Sequence, residues 1–146
     1  MAVGALMTID GYPLLRSDIP TRNGRLYTDE CLYGILNDLQ VFIENAVPIV
    51  TLNNSDDYCI ELTSVCGVVT KAVIDDHVLY VDIDIIDTPA GRTLFNLPAE
   101  TRLYFAPHGQ GDLESPNCEG TVAYNKVANY IFNYIDCVLV DPYFKD

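Results

Sequence analysis

After Thr28, apolar residues recur every three or four positions, at Leu32, Ile35, Leu36, Leu39, Phe42 and Ile43. That spacing follows the 3.6-residue turn of an α-helix and puts the six side chains on one face. The Thr28 hydroxyl can accept from a free backbone N–H of the first turn, and Asp29 and Glu30 follow where the helix dipole favours acids. A long helix is therefore predicted from Thr28, and its stripe needs another layer to pack against.

The rest of the chain offers mainly strands. Val47 to Leu52 is a short apolar run ending in the polar loop Asn53-Asn54-Ser55-Asp56-Asp57. Ile60 to Ile74 is rich in β-branched residues and reads as a strand bent around Gly67. From Val78 to Ile86, Leu79, Val81, Ile83 and Ile85 alternate with Tyr80, Asp82 and Asp84, the period of a half-buried strand, and Asp75-Asp76 supplies the turn into it. Thr88 and Pro89 mark the cap and first residue of a short helix through Leu94 and Leu97. Arg102 to Ala106, Thr121 to Tyr124 and Tyr130 to Val140 predict further strands, with a polar, Gly-containing loop from Gly109 to Gly120. Near the start, Arg22-Asn23-Gly24-Arg25-Leu26-Tyr27 carries the Asn-Gly pair of a tight turn. The expected class is α+β: a mixed or antiparallel, barrel-like sheet with one long helix and short helices packed outside. No linker or repeat divides the chain, so residues 1–146 are expected to form a single domain.

Charge narrows the choice of partners. Twenty-one acidic residues against eight basic ones give a formal net charge of −13, which repels phosphates, so direct nucleic-acid binding is not expected. Apolar stretches such as Ala2 to Met7 and Cys137 to Val140 are far short of the ~20 residues that cross a bilayer, and no membrane span is expected. With no basic residue before Arg16, a secretory leader is not expected either, and synthesis in a host cytoplasm is the reading. The five cysteines (Cys31, Cys59, Cys66, Cys118, Cys137) contain no CxxC pair and have mostly apolar neighbours, which reads as core packing.

Three segments, in order, resemble the prohead (head maturation) proteases of tailed phages. Arg22-Asn23-Gly24-Arg25-Leu26-Tyr27 is similar to that family's N-R-N-G-R-x-Y turn. Ile83 to Arg92, with Thr88-Pro89-Ala90-Gly91-Arg92, is similar to its I-L-x-T-P-x-G-K/R strand and helix start. Tyr134-Ile135-Asp136-Cys137-Val138-Leu139-Val140-Asp141-Pro142 resembles its closing F-D-x-V-x-x-P strand. The resemblance implies a herpesvirus-protease-like barrel, a serine nucleophile and a histidine base. At the position where the family has its histidine, this sequence has Asn54, and an amide cannot take a proton from a serine at neutral pH. At the position of the serine stand Ala106 and Pro107, and His108 falls where an oxyanion-holding arginine would be. Base, nucleophile and oxyanion group are useful only as a set, so a chain that is not an enzyme, a pseudoprotease, is expected.

From that reading follows a structural protein of the virion that decorates and stabilises the outer capsid surface, with the major capsid protein and further copies of the chain, as a homo-oligomer, as the partners to consider. Two alternatives stay open: an active maturation protease using Ser115 or Ser64 with His77 or His108, and an internal scaffold or core component of the prohead. Asp82, Asp84 and Asp87 are the one carboxylate group that suggests a metal, but alternation puts Asp82 and Asp84 on a polar strand face where solvation suffices. No metal or cofactor is expected. The ten tyrosines read first as half-buried sheet residues, and second as interface aromatics.

Overall fold

The computed structural model describes residues 5–54, 59–114, 117–119 and 122–143, with side chains described outside 117–119 and 122–124. Eight strands and two α-helices follow in the order β1 (Met7–Arg16), β2 (Arg25–Leu26), α1 (Asp29–Glu44), β3 (Val50–Leu52), β4 (Val65–Asp75), β5 (Val78–Ile85), α2 (Pro89–Phe95), β6 (Tyr104–Leu113), β7 (Asn117–Glu119) and β8 (Val122–Val138). A single 3₁₀ turn, Leu62–Ser64, precedes β4. The class is α+β, with a sheet curled into a half-barrel and two helices rather than one long helix with several short ones.

The sheet runs β1-β5-β4-β3-β8-β2, and β6 and β7 also pair with β8. Most neighbours are antiparallel; β3 and β2 meet β8 in parallel, so the sheet is mixed. In β5 the alternation is realised: Leu79, Val81, Ile83 and Ile85 are all buried, while Tyr80, Asp82 and Asp84 lie on the wetter face. α1 begins as expected, with the Thr28 hydroxyl accepting from Cys31 N at 3.2 Å. Leu32, Ile35 and Leu39 are buried against β4 and β8, each contributing about 1.5–3 kcal/mol relative to exposure. α2 is capped in the same way, by Thr88 accepting from Gly91 N, with Pro89 at its start.

Two strands depart from the pattern in the sequence. β1 was not expected, because Gly11, at φ +60°, and Pro13 interrupt it. Its pairing with β5 slips between Ile9 and Tyr12 and again between Pro13 and Leu15, so no clean period of two survives. Carboxylates of β5 hold it: Asp84 accepts from the Thr8 hydroxyl at 3.0 Å and Asp82 from Gly11 N at 2.7 Å. β6 runs straight into the stretch read as a loop, pairing with β8 as far as Leu113↔Val127. Register slips at His108/Gly109 and Gln110/Asp112 bend it, and a Cβ on Gly109 would sit 2.2 Å from Ile131 O. The glycines here serve a bent strand pair that needs close approach. The two strands expected over 121–124 and 130–140 are one, β8.

The half-barrel is open between β1 and β6, and tyrosine hydroxyls span the gap. Tyr12 Oη accepts from Phe105 N at 2.9 Å and lies 3.3 Å from Phe105 O as donor, satisfying both backbone groups of an edge residue. Tyr143 Oη does the same for Arg16, accepting from its N–H at 2.8 Å and donating to its carbonyl at 3.1 Å. Burial pushes the Tyr12 phenol up to about 12, so the hydroxyl keeps its proton at neutral pH. Among the described residues, no helix is long and apolar enough to cross a membrane.

Candidate functional site

The Asn23-Gly24 turn and the closing strand, far apart in sequence, come together. Arg22 N donates to Pro142 O at 2.9 Å, and Asn125 N to Gly24 O at 2.7 Å. Between them lies a cleft of about 550 Å³ whose walls include Leu14, Arg22, Arg25, Tyr27, Ala106, Pro107 and Leu139. It is mainly apolar, and its charged lining residues are Arg22, Arg25 and Asp141. The third segment, Ile83 to Arg92, is elsewhere: it seats α2, and the Thr88 hydroxyl donates to Val65 O at 2.6 Å.

Ala106 also belongs to a polar cluster where β3, β6 and β8 meet. It pairs with Asp136, which in turn pairs with Thr51 on the parallel side. The Thr51 hydroxyl, fully buried, donates to Asp136 at 2.8 Å, and the backbone amides of Asn54 and Asn53 also hydrogen-bond this carboxylate. Burial raises the Asp136 pKa, and these hydrogen bonds, with His108 nearby, pull it partly back. His108 stacks on buried Tyr134, ring centroids 4.7 Å apart and nearly parallel.

Asn54, where the family's histidine was expected, clamps a loop. Its Oδ1 accepts from Glu61 N at 2.9 Å and from the Ser64 hydroxyl at 2.8 Å, while Nδ2 donates to Cys59 O at 3.0 Å. Neutral imidazole has one acceptor and one donor, so it cannot make this set. Ser64 is buried, and its one hydroxyl proton is shared between Asn54 Oδ1 and Glu61 O, the latter at 2.7 Å. Its partners are thus neither His77 nor His108. Ser115 lies outside the described residues.

His77 sits in the β4–β5 turn, where its Nδ1 is 3.0 Å from Asp29 Oδ1, and Ser17 joins the same carboxylate. Both side chains address one oxygen of Asp29, which is not the order of a serine–base relay. Asp82 and Asp84 do more than face solvent, since they hold β1, and Asp87 pairs with Arg92. Cys31, Cys66 and Cys137 are buried and free; Cys59, expected in the core, is exposed. Burial pushes the Cys66 and Cys137 thiols up to about 12, which leaves them unreactive. The side chain of Cys118 lies outside the described residues. Sequence reasoning gave no functional role to Thr51, Asp136, Ser17 or the two cleft arginines; the visible signals were an acid inside the apolar run Ile135 to Leu139 and the place of Arg22 and Arg25 in the family-like turn.

No family model matches the chain, and no curated protein matches it in sequence. Among solved structures it is similar to the capsid assembly protease gp21 of bacteriophage T4, at 18% identity and a TM-score of 0.72, over 92% of this chain and 91% of that one. The prohead-protease-like fold is therefore shown. The same likeness corrects the expectation that the chain is not an enzyme, since its fold is similar to that of a protease over 92% of its length. That expectation rested on three positions, Asn54, Ala106 and His108, read along the chain. In the folded chain the same region holds Asp136, Thr51 and Ser64, which position in sequence did not place there.

Proposed function

We propose that the chain acts in the assembly of a tailed-phage head, taking an extended segment of a head protein into the cleft beside Ala106 and Pro107. The observation that carries this is the likeness to a capsid assembly protease over nearly the whole of both chains, with two of the three family-like segments meeting at that cleft. The apolar walls suit the side chains of an unfolded segment, and Arg22 and Arg25 suit its carbonyls or acids. Deleting the chain from its phage and analysing head proteins in purified particles by mass spectrometry tests the proposal. Arrest at an immature particle, with changed head-protein termini or composition, is the expected result; normal yields of full heads would refute it.

The finer role, decoration of the outer shell on the major capsid protein, is favoured only by the charge of −13, which disfavours a place beside packaged DNA. Copy number separates the two: a decoration protein stays in mature virions in fixed ratio to the major capsid protein, and an assembly factor is depleted from them. Ser115, in either role, is open to test by Ser115→Ala in the same particles.

A further inference from the structure

Ser17 follows β1, Asp29 opens α1 and His77 lies in the β4–β5 turn, and the three meet at the surface. His77 Nδ1 is 3.0 Å from Asp29 Oδ1, the Ser17 hydroxyl donates to the same oxygen, and Ser17 N donates to His77 O at 3.0 Å. Ser17 and Asp29 are the two ends of the 18–28 segment, which carries Arg22, Asn23, Arg25 and Tyr27 into the wall of the cleft. At its far side that segment is fastened by backbone bonds, Arg22 N to Pro142 O and Asn125 N to Gly24 O, which do not titrate. Its base is held by ionisable side chains.

Asp76 and His77 both adopt left-handed conformations, at φ +48° and +65°, which Asp and His tolerate better than most non-glycine residues, and the turn so formed brings the imidazole to Asp29.

We propose that Ser17, Asp29 and His77 form a protonation-dependent clasp, which holds the 18–28 wall of the cleft tightly when His77 is charged and loosens it when His77 is neutral. The charged groups around His77 come from every neighbouring element: Asp29 from α1, Asp18 beyond β1 and Asp76 in its own turn. Opposing them are the positive end of α1 and Arg16 of β1, whose guanidinium is already forked onto Asp18. The carboxylates prevail, the Asp29 hydrogen bond first, and the His77 pKa is raised above its ordinary value. A charge-assisted bond is about twice as strong as a neutral one. The charge assistance is therefore complete below about pH 6.5, down to the acid range in which Asp29 itself takes a proton, and is lost as pH rises through the raised His77 value in the folded chain. It does not depend on what occupies the cleft.

Hydrogen exchange of the 18–28 amides, measured at about pH 5.5 and about pH 8 and corrected for intrinsic exchange, tests the clasp on the full chain. Exposed ion pairs of this kind predict protection about two- to five-fold higher at the lower pH. His77→Asn suits the left-handed turn and does not titrate, and Asp29→Asn keeps the shape without the charge. Both should abolish the difference. A wild-type chain with no pH difference in this segment, or either variant retaining it, overturns the proposal.

Discussion

Replacing Asn54 by Ala should destabilise the protein by about 2 kcal/mol. Among the described residues, three hydrogen bonds meet at this amide: Glu61 N and the Ser64 hydroxyl at Oδ1, and Cys59 O at Nδ2. Ser64 keeps an acceptor after the change, because its proton can turn wholly to Glu61 O at 2.7 Å. The change removes the Asn54 bonds to Glu61 N and Cys59 O, at about 1 kcal/mol for each net bond lost. In a protein of 146 residues this corresponds to a fall in Tm of about 4–8 °C. Asn54→His, which would put an imidazole where the resembling family has its base, should fare no better, since the ring offers fewer acceptor and donor sites than the amide used here. Urea denaturation followed by circular dichroism measures both variants, with an unchanged slope confirming that the unfolded states are comparable. If Asn54→Ala unfolds within about 0.5 kcal/mol of wild type, the amide is not the clamp described and the position is open to a functional reading instead.

Three further outcomes follow from the geometry. Tyr12→Phe should cost about 1–2 kcal/mol and speed hydrogen exchange at the Phe105 amide, because one hydroxyl serves both backbone groups at the open side of the half-barrel; unchanged exchange there would contradict this. Gly109→Ala should cost about 1–3 kcal/mol in the same denaturation assay, since the new Cβ meets Ile131 O at 2.2 Å and the Tyr130 hydroxyl at 2.7 Å. Asp136 should titrate above a free aspartate in an NMR titration, and still higher in Thr51→Val, which removes a bond to the charged form. With the folded pKa raised, the native state binds more protons than the unfolded one in that window. The Asp136 contribution to stability therefore falls as pH rises from about 4 through the folded value, and an Asp136 pKa at or below the free value would refute the account.

Local order was legible in the chain. The stripe of Leu32, Ile35 and Leu39 and the caps at Thr28 and Thr88 act within a few residues, and so does the alternation of β5; each appears in the fold where its period put it. The cleft was half legible: the Asn23-Gly24 turn and the closing strand stood out as segments, but nothing in either shows that Arg22 N reaches Pro142 O. β1 and the far half of β6 were hidden because bulges at Gly11, Pro13 and Gly109 break the period on which strand recognition depends. The polar cluster was hidden for a different reason. Thr51 and Asp136 are 85 residues apart, and Ser17 and His77 are 60 apart; only strand register and the curl of the sheet bring them within reach. Interactions between chain neighbours leave a periodic trace in the sequence, whereas contacts made across register exist only once the whole sheet has closed on its core.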